Sequence, residues 1–74
     1  MQYHDGGTIM VGDKVQLGPD DGVVVFSIDT GEYANEFPKA EWEYLERGIM
    51  VSFPALGLVH IEECDPALQL IGRT

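Results

Sequence analysis

Basic residues are scarce in this chain of 74 residues. Four lysines and arginines face 13 aspartates and glutamates, so the net charge is −9. A surface of this charge repels phosphate groups, which disfavours direct binding to DNA, RNA or an anionic membrane. A protein partner with basic groups, a cation, or solubility alone remains as an explanation of the acidic surface.

Cysteine is almost absent, and the sequence lacks both a long apolar run and a signal-peptide pattern. Cys64 is the single cysteine, which excludes an internal disulfide bond and is typical of a reducing compartment. The opening MQYHDGGTIM has no basic region followed by an apolar stretch. No apolar segment approaches the roughly 18 residues of a membrane span. We therefore expect a cytoplasmic protein.

Short β-branched and aromatic segments, separated by turn residues, are what the sequence does contain. KVQL (14–17) alternates polar and apolar residues, and VVVFSI (23–28) has the composition of a central strand. Between them GPDDG (18–22) predicts a tight turn in which Gly22 provides a positive φ as the chain leaves it. Further strands are predicted over 49–53, 58–61 and 68–71.

The domain plan is simple. Residues 1–7 are polar and glycine-containing, which predicts a loose N-terminus ahead of a single domain over residues 8–74. A chain of this length buries only about 60% of its unfolded surface, so one small core is expected.

One short helix is predicted within the long excursion between the second and third of these strands, over Pro38–Arg47. Proline suits the first turn of a helix, and Trp42 and Leu45 share one helical face. Gly48 occupies the position of a C-capping glycine.

The order of these elements resembles that of an SH3-like barrel. The likeness rests on VGDKVQL, DGVVVFSI, GIMVSFPALGLVHI and DPALQLI, and it covers roughly residues 11 to 71. It implies a mainly all-β fold, a small SH3-like barrel of five to six strands with one short helix in the Pro38–Arg47 excursion. A fold of this kind does not by itself carry a function.

The closing strands also resemble those of the plasmid-borne type II dihydrofolate reductases, which are small SH3-like chains that assemble as tetramers around a central pore. Their Val-Gln-Ile-Tyr motif corresponds here to Val59, His60, Ile61 and Glu62, of which only the valine and the isoleucine match. The resemblance implies NADPH and folate as ligands. Both are anionic, and a carboxylate at position 62, repeated by symmetry, would repel them. The sequence thus favours a protein with no cofactor and no enzymatic activity.

His60, Glu62 and Cys64 are weak candidates for a metal site. Alternate residues of a strand project from one face, and their side chains are ligands that zinc accepts. The paired spacing of structural zinc sites is missing, however, and a solvent-facing strand edge explains the same residues. Cys64 also lacks a base for nucleophilic catalysis, because His60 lies about 13 Å away along an extended strand. We therefore expect no metal and no catalytic residue.

Aromatic side chains in the excursion provide the main functional hypothesis. A core this small cannot bury all of them, and exposed aromatics are what SH3-like domains use to hold peptides or neighbouring subunits. We therefore expect a non-catalytic protein-binding or self-associating module, with a homodimer or tetramer as its self-associated form. Capping of one open end of the barrel by the same side chains is the alternative. The candidate partner-binding residues are Tyr33, Phe37, Trp42 and Tyr44.

Acidic side chains in the same excursion provide a second hypothesis, in which the protein imitates nucleic acid and inhibits a DNA-binding protein. Nothing in their spacing requires this role, and a solvated face is the more common explanation of such residues. The two partner hypotheses differ in salt dependence, since aromatic contacts tolerate salt and charge contacts do not. The candidate acidic face consists of Glu32, Glu36, Glu41, Glu43 and Glu46.

Overall fold

The computed structural model describes residues 2–4, 6–63 and 66–72. Within these ranges it confirms a mainly all-β fold with one short helix in the predicted excursion. The elements in chain order are β1 (Lys14–Leu17), β2 (Asp20–Ser27), β3 (Glu32–Tyr33), α1 (Lys39–Trp42), a 3₁₀ helix (Glu43–Leu45), β4 (Ile49–Phe53), β5 (Gly57–Ile61) and β6 (Leu68–Gly72).

The strands form one antiparallel sheet in the order β5-β4-β2-β1-β6, and β3 pairs with the C-terminal end of β2. Strands β5 and β6 are the two edges, and no pairing between them closes the sheet in the described ranges. The small barrel predicted from the sequence is therefore not closed between β5 and β6 in the described residues. Ile61 of β5 and Leu68 of β6 both enter the core, although the backbones of these edge strands do not pair.

One face of the sheet, the inner face, covers the hydrophobic core. Directly paired residues of antiparallel strands project from the same face, and Val24 pairs with Val51 while Ile49 pairs with Ile61. All four are buried. The core cluster comprises Tyr3, Ile9, Val15, Val24, Ile49, Val51, Phe53, Ile61 and Leu68.

An irregularity in β2 changes which face its side chains occupy. Val24 pairs with Val51, but Phe26 pairs with Met50, so Val25 is an extra residue between two adjacent partners. Such a bulge shifts the alternation of side chains by one position. Phe26 therefore leaves the inner face, to which Val24 belongs, and projects from the opposite, outer face together with Met50.

The N-terminal segment contradicts the prediction of a loose end. Tyr3 is only 4% exposed and belongs to the core cluster. Its hydroxyl donates a 2.7 Å hydrogen bond to the buried carboxylate of Asp13, which also accepts one from the Met10 backbone N–H. A buried carboxylate needs such donors. Sequence composition missed this contact because it joins residues ten positions apart.

Glycine positions differ from the predicted ones. Gly18, with a φ of +61°, provides the left-handed residue of the first hairpin turn. Gly22 instead lies inside β2, where a Cβ would approach the Phe53 ring to 2.7 Å. Gly48 has a φ of +98°, and a Cβ there would lie 2.3 Å from the Ile61 carbonyl oxygen.

The helical segment is shorter than predicted. It ends at Leu45, and Glu46 takes the left-handed conformation with a φ of +71°. Gly48 is therefore not the helix cap. No helix in the described ranges has the length and hydropathy that crossing a bilayer requires.

Replacement of Gly48 by alanine should unfold much of the protein. A methyl group at this position meets the backbone of β5, and its φ is unfavourable for alanine, so we expect a loss of at least about 3 kcal/mol in the free energy of unfolding. Gly31→Ala is the matched control, because its φ is +72° but no atom lies within 4 Å; it should cost about 1 kcal/mol. Equal melting temperatures of the two variants would contradict the role assigned to Gly48.

Replacement of Tyr3 by phenylalanine tests the N-terminal attachment. The substitution removes one donor from the buried Asp13 carboxylate, which should cost about 1.5–3 kcal/mol in the free energy of unfolding. Tyr44→Phe removes a hydroxyl from a side chain that is 69% exposed and should leave stability unchanged. Chemical denaturation of both variants measures the difference, and a Tyr3→Phe protein as stable as the wild type would show that the segment is not anchored through this bond.

Candidate protein-binding surface

The excursion between β2 and β4 is held against the outer face of the sheet by an aromatic cluster. Phe26 is fully buried at its centre. Tyr33 is its direct partner across β2 and β3, and the two rings stack with centroids 5.3 Å apart. The rings of Phe37 and Trp42 lie 6.0 and 5.4 Å from that of Phe26, and 5.9 Å from each other. Each such pair contributes about 0.5–1.5 kcal/mol beyond the burial of apolar area.

Three of the four predicted partner-binding residues thus lie together, but their rings hold the excursion on the sheet and are not free for a partner. Tyr33, Phe37 and Trp42 are half-buried. The indole N–H of Trp42 is buried and has no hydrogen-bond partner in the described ranges, which is unusual for a buried tryptophan, so the ring acts through packing. These three rings pack on the outer face of the sheet around Phe26, and not at an open end of a barrel.

Tyr44 is arranged differently from the other three. It lies in the 3₁₀ helix and is 69% exposed, the most exposed of the large hydrophobic side chains in the described part of the chain. Its neighbours Trp42 and Leu45 are half-buried. The turn of the helical segment therefore directs Tyr44 toward solvent while its neighbours fix the backbone.

The C-terminal end of the excursion is attached to β5 through Arg47. Its guanidinium forms an ion pair with the Glu62 carboxylate at 3.2 Å, and its carbonyl oxygen lies 2.8 Å from His60 Nε2. The next residue, Gly48, donates its backbone N–H to Asp29 Oδ1 over 3.3 Å. The excursion is thus fixed at both ends, by the aromatic cluster and by these bonds.

His60 and Glu62, two of the weak metal candidates, are engaged with Arg47 and not with each other. Cys64, the third, lies outside the described residues. Among the residues that are described, no group of three or more histidine, cysteine, aspartate or glutamate side chains could hold a metal ion.

The five predicted acidic residues lie along the excursion. Glu32 is half-buried and accepts a hydrogen bond from the Thr30 hydroxyl. The others are exposed and have no ion-pair partner in the described ranges, so their charges face solvent. These exposed residues are Glu36, Glu41, Glu43 and Glu46.

The negative charge of the excursion acts on the aromatic cluster. Burial, and to a lesser extent the Glu43 carboxylate, raise the pKa of the Tyr33 hydroxyl above its ordinary value of 10.0. Both effects disfavour the phenolate, because it is poorly solvated there and lies near another negative charge.

Sequence analysis did not identify Phe26 as the centre of the aromatic cluster. The residue belongs to a strand of continuous β-branched and aromatic residues, which predicts a core position. Nothing in the residue pattern marks Val25 as a bulge.

No family model, curated protein or solved structure was found to match this chain.

The Tyr33 hydroxyl predicts an alkaline loss of stability. Because its pKa is raised in the folded state, its contribution is fully present below pH 10 and is lost as the pH rises through the folded-state pKa. The free energy of unfolding of the wild type should therefore fall more steeply above pH 10 than that of Tyr33→Phe. Urea denaturation over this range measures it. Parallel pH profiles of the wild type and Tyr33→Phe would contradict the raised pKa of Tyr33. Glu43→Gln removes the smaller cause of this rise, so its profile should lie slightly closer to that of Tyr33→Phe than the wild-type profile does.

Proposed function

We propose that this chain is a non-catalytic protein-binding module whose partner docks on the excursion around Tyr44. The exposure of the Tyr44 ring, two residues after a tryptophan that packs on the outer face of the sheet, is the observation that carries the proposal. Tyrosine is enriched in the centres of interfaces, because a rigid ring with one polar end provides contact area at little entropic cost.

The contacts beneath Tyr44 favour binding because they hold the excursion in one arrangement on the sheet. Phe37 and Trp42 of the excursion pack on Phe26 of β2, and Arg47 attaches the end of the excursion to Glu62 and His60. A loop that is ordered before binding loses less conformational entropy when the partner arrives. The aromatic cluster and the binding residue thus have separate roles.

The charges around Tyr44 indicate the chemistry of the partner. Glu41, Glu43 and Glu46 occupy the same helical segment and its end, and all three are exposed. A peptide segment with arginine or lysine fits this environment, since a guanidinium stacks on a tyrosine ring while it faces carboxylates. We therefore assign a basic segment of another protein as the partner.

An acidic inhibitor of a DNA-binding protein is the second candidate function. The exposed carboxylates of Glu36, Glu41, Glu43 and Glu46, which lack ion-pair partners in the described ranges, favour it. This function draws its affinity from charge alone, so it requires many carboxylates and no particular tyrosine.

Selection from a random peptide library on the immobilised protein tests the proposal. Enriched peptides should contain arginine or lysine, and their affinity, measured by fluorescence anisotropy, should fall about tenfold or more for Tyr44→Ala. Stability of this variant should remain unchanged because the ring is exposed. Tyr3→Phe is the matched control, since it changes a tyrosine remote in sequence and already buried, and it should bind as the wild type does at temperatures where both are folded.

The salt dependence separates the two candidate functions. If the Tyr44→Ala variant binds the selected peptides as tightly as the wild type, while glutamine at positions 41, 43 and 46 abolishes binding and about 0.5 M salt does the same, the acidic-inhibitor function replaces the proposal. If the wild-type protein enriches no peptide, the docking surface is refuted.

A further inference from the structure

Half of the outer face of the sheet is not covered by the excursion. The side chains of Phe26 and Met50 lie beneath it and are buried. Beyond the bulge at Val25, a row of directly paired residues crosses four strands, from Lys14 of β1 through Val23 and Ser52 to Leu58 of β5. Val23 and Leu58 in this row are 38% and 46% exposed.

The uncovered half is largely apolar and slightly concave. Ile71 of β6 is 52% exposed at its margin, and a shallow cavity of about 190 Å³ opens beside it. We name this surface the neutral face and define it by Lys14, Asp21, Val23, Pro54, Leu58 and Ile71. Exposed apolar side chains that lie together in this way mark an interaction site more often than scattered ones do.

The charge of the neutral face differs from that of the chain. It carries one lysine and one aspartate and so has no net charge, whereas the whole chain has a net charge of −9. Lys14 and Asp21 line the same cavity, but they form no ion pair with each other in the described structure. Each charge is therefore available to a group outside the chain.

We propose that a second copy of this chain packs on the neutral face in a two-fold arrangement, with Lys14 of each copy opposite Asp21 of the other. A two-fold interface brings one surface against itself, so it requires a patch that is self-complementary. One positive and one negative group beside exposed apolar side chains meet this requirement. Elsewhere the acidic surfaces of two copies repel each other.

A basic partner is less suited to this surface. Its charges would be attracted to the exposed carboxylates of the excursion, and the neutral face offers it a lysine in addition to the aspartate. The two docking surfaces are thus separate in both position and chemistry, and the second does not depend on the first.

The size of the neutral face predicts a weak dimer. Five strands spaced about 4.8 Å apart give a width of about 20 Å, and the uncovered part extends only some three residues, or about 10 Å, along each strand. Two copies would therefore bury about 400 Å² in total, well below the roughly 1,200 Å² at the low end of specific interfaces. We therefore expect a dissociation constant in the high micromolar to millimolar range, with monomer predominant in dilute solution.

Sedimentation velocity of the full chain, from about 1 μM to 1 mM, tests the proposal through a charge-exchange cycle. Lys14→Glu places a glutamate opposite Asp21 of the other copy, and Asp21→Lys places a lysine opposite Lys14; each should raise the dissociation constant about tenfold. The double variant Lys14→Glu/Asp21→Lys restores opposite charges and the wild-type net charge, and it should restore the dimer. This rescue is expected only if residue 14 of one copy faces residue 21 of the other.

Lys39→Glu is the matched control, because it makes the same charge change as Lys14→Glu on the exposed excursion. It should weaken the dimer much less. Asp21→Lys adds a second distinction, since it reduces the net negative charge and would strengthen a dimer opposed only by overall repulsion. Circular dichroism verifies that each variant is folded. A wild-type protein that stays monomeric to 1 mM, a double variant without rescue, or equal effects of Lys14→Glu and Lys39→Glu would each overturn the proposal.

Discussion

The extra residue at Val25 is the constraint on which the arrangement of this protein depends. Without it, Phe26 would project into the core beside Val24, since alternate residues of a strand share a face. The bulge moves the ring to the outer face, where Tyr33, Phe37 and Trp42 pack around it. One irregularity of the backbone thus creates a second packing centre, made of aromatic rings, on the outer face of the sheet.

Because of this second packing centre, the aromatic residues of the excursion have two different roles. Those that pack on Phe26 give the excursion a fixed shape, and Tyr44 is left at the surface because the short helical segment directs it away from the sheet. The other part of the outer face stays exposed, since the ring contacts hold the excursion over Phe26 beyond the bulge. Both proposed docking surfaces are consequences of this partial covering.

The strands were predictable from sequence because their signal is local. KVQL and IMVSF carry the alternation and β-branched composition of strands, and the observed bounds of β1 and β4 equal the predicted ones. The bulge, the burial of Tyr3 and the steric role of Gly48 were not predictable, because each depends on atoms from another strand or a distant segment. The candidate site shows the same limit: composition identified its aromatics, but only their packing separates the supporting rings from the exposed one.

The hydrogen bond between Tyr3 and Asp13 bears on where this domain begins. A boundary drawn from sequence pattern would start it at residue 8, after the polar opening. A recombinant protein shortened to that boundary would lose a core side chain and leave a buried carboxylate with one donor fewer. An affinity tag is accordingly better placed at the C-terminal end, because Tyr3 is part of the hydrophobic core.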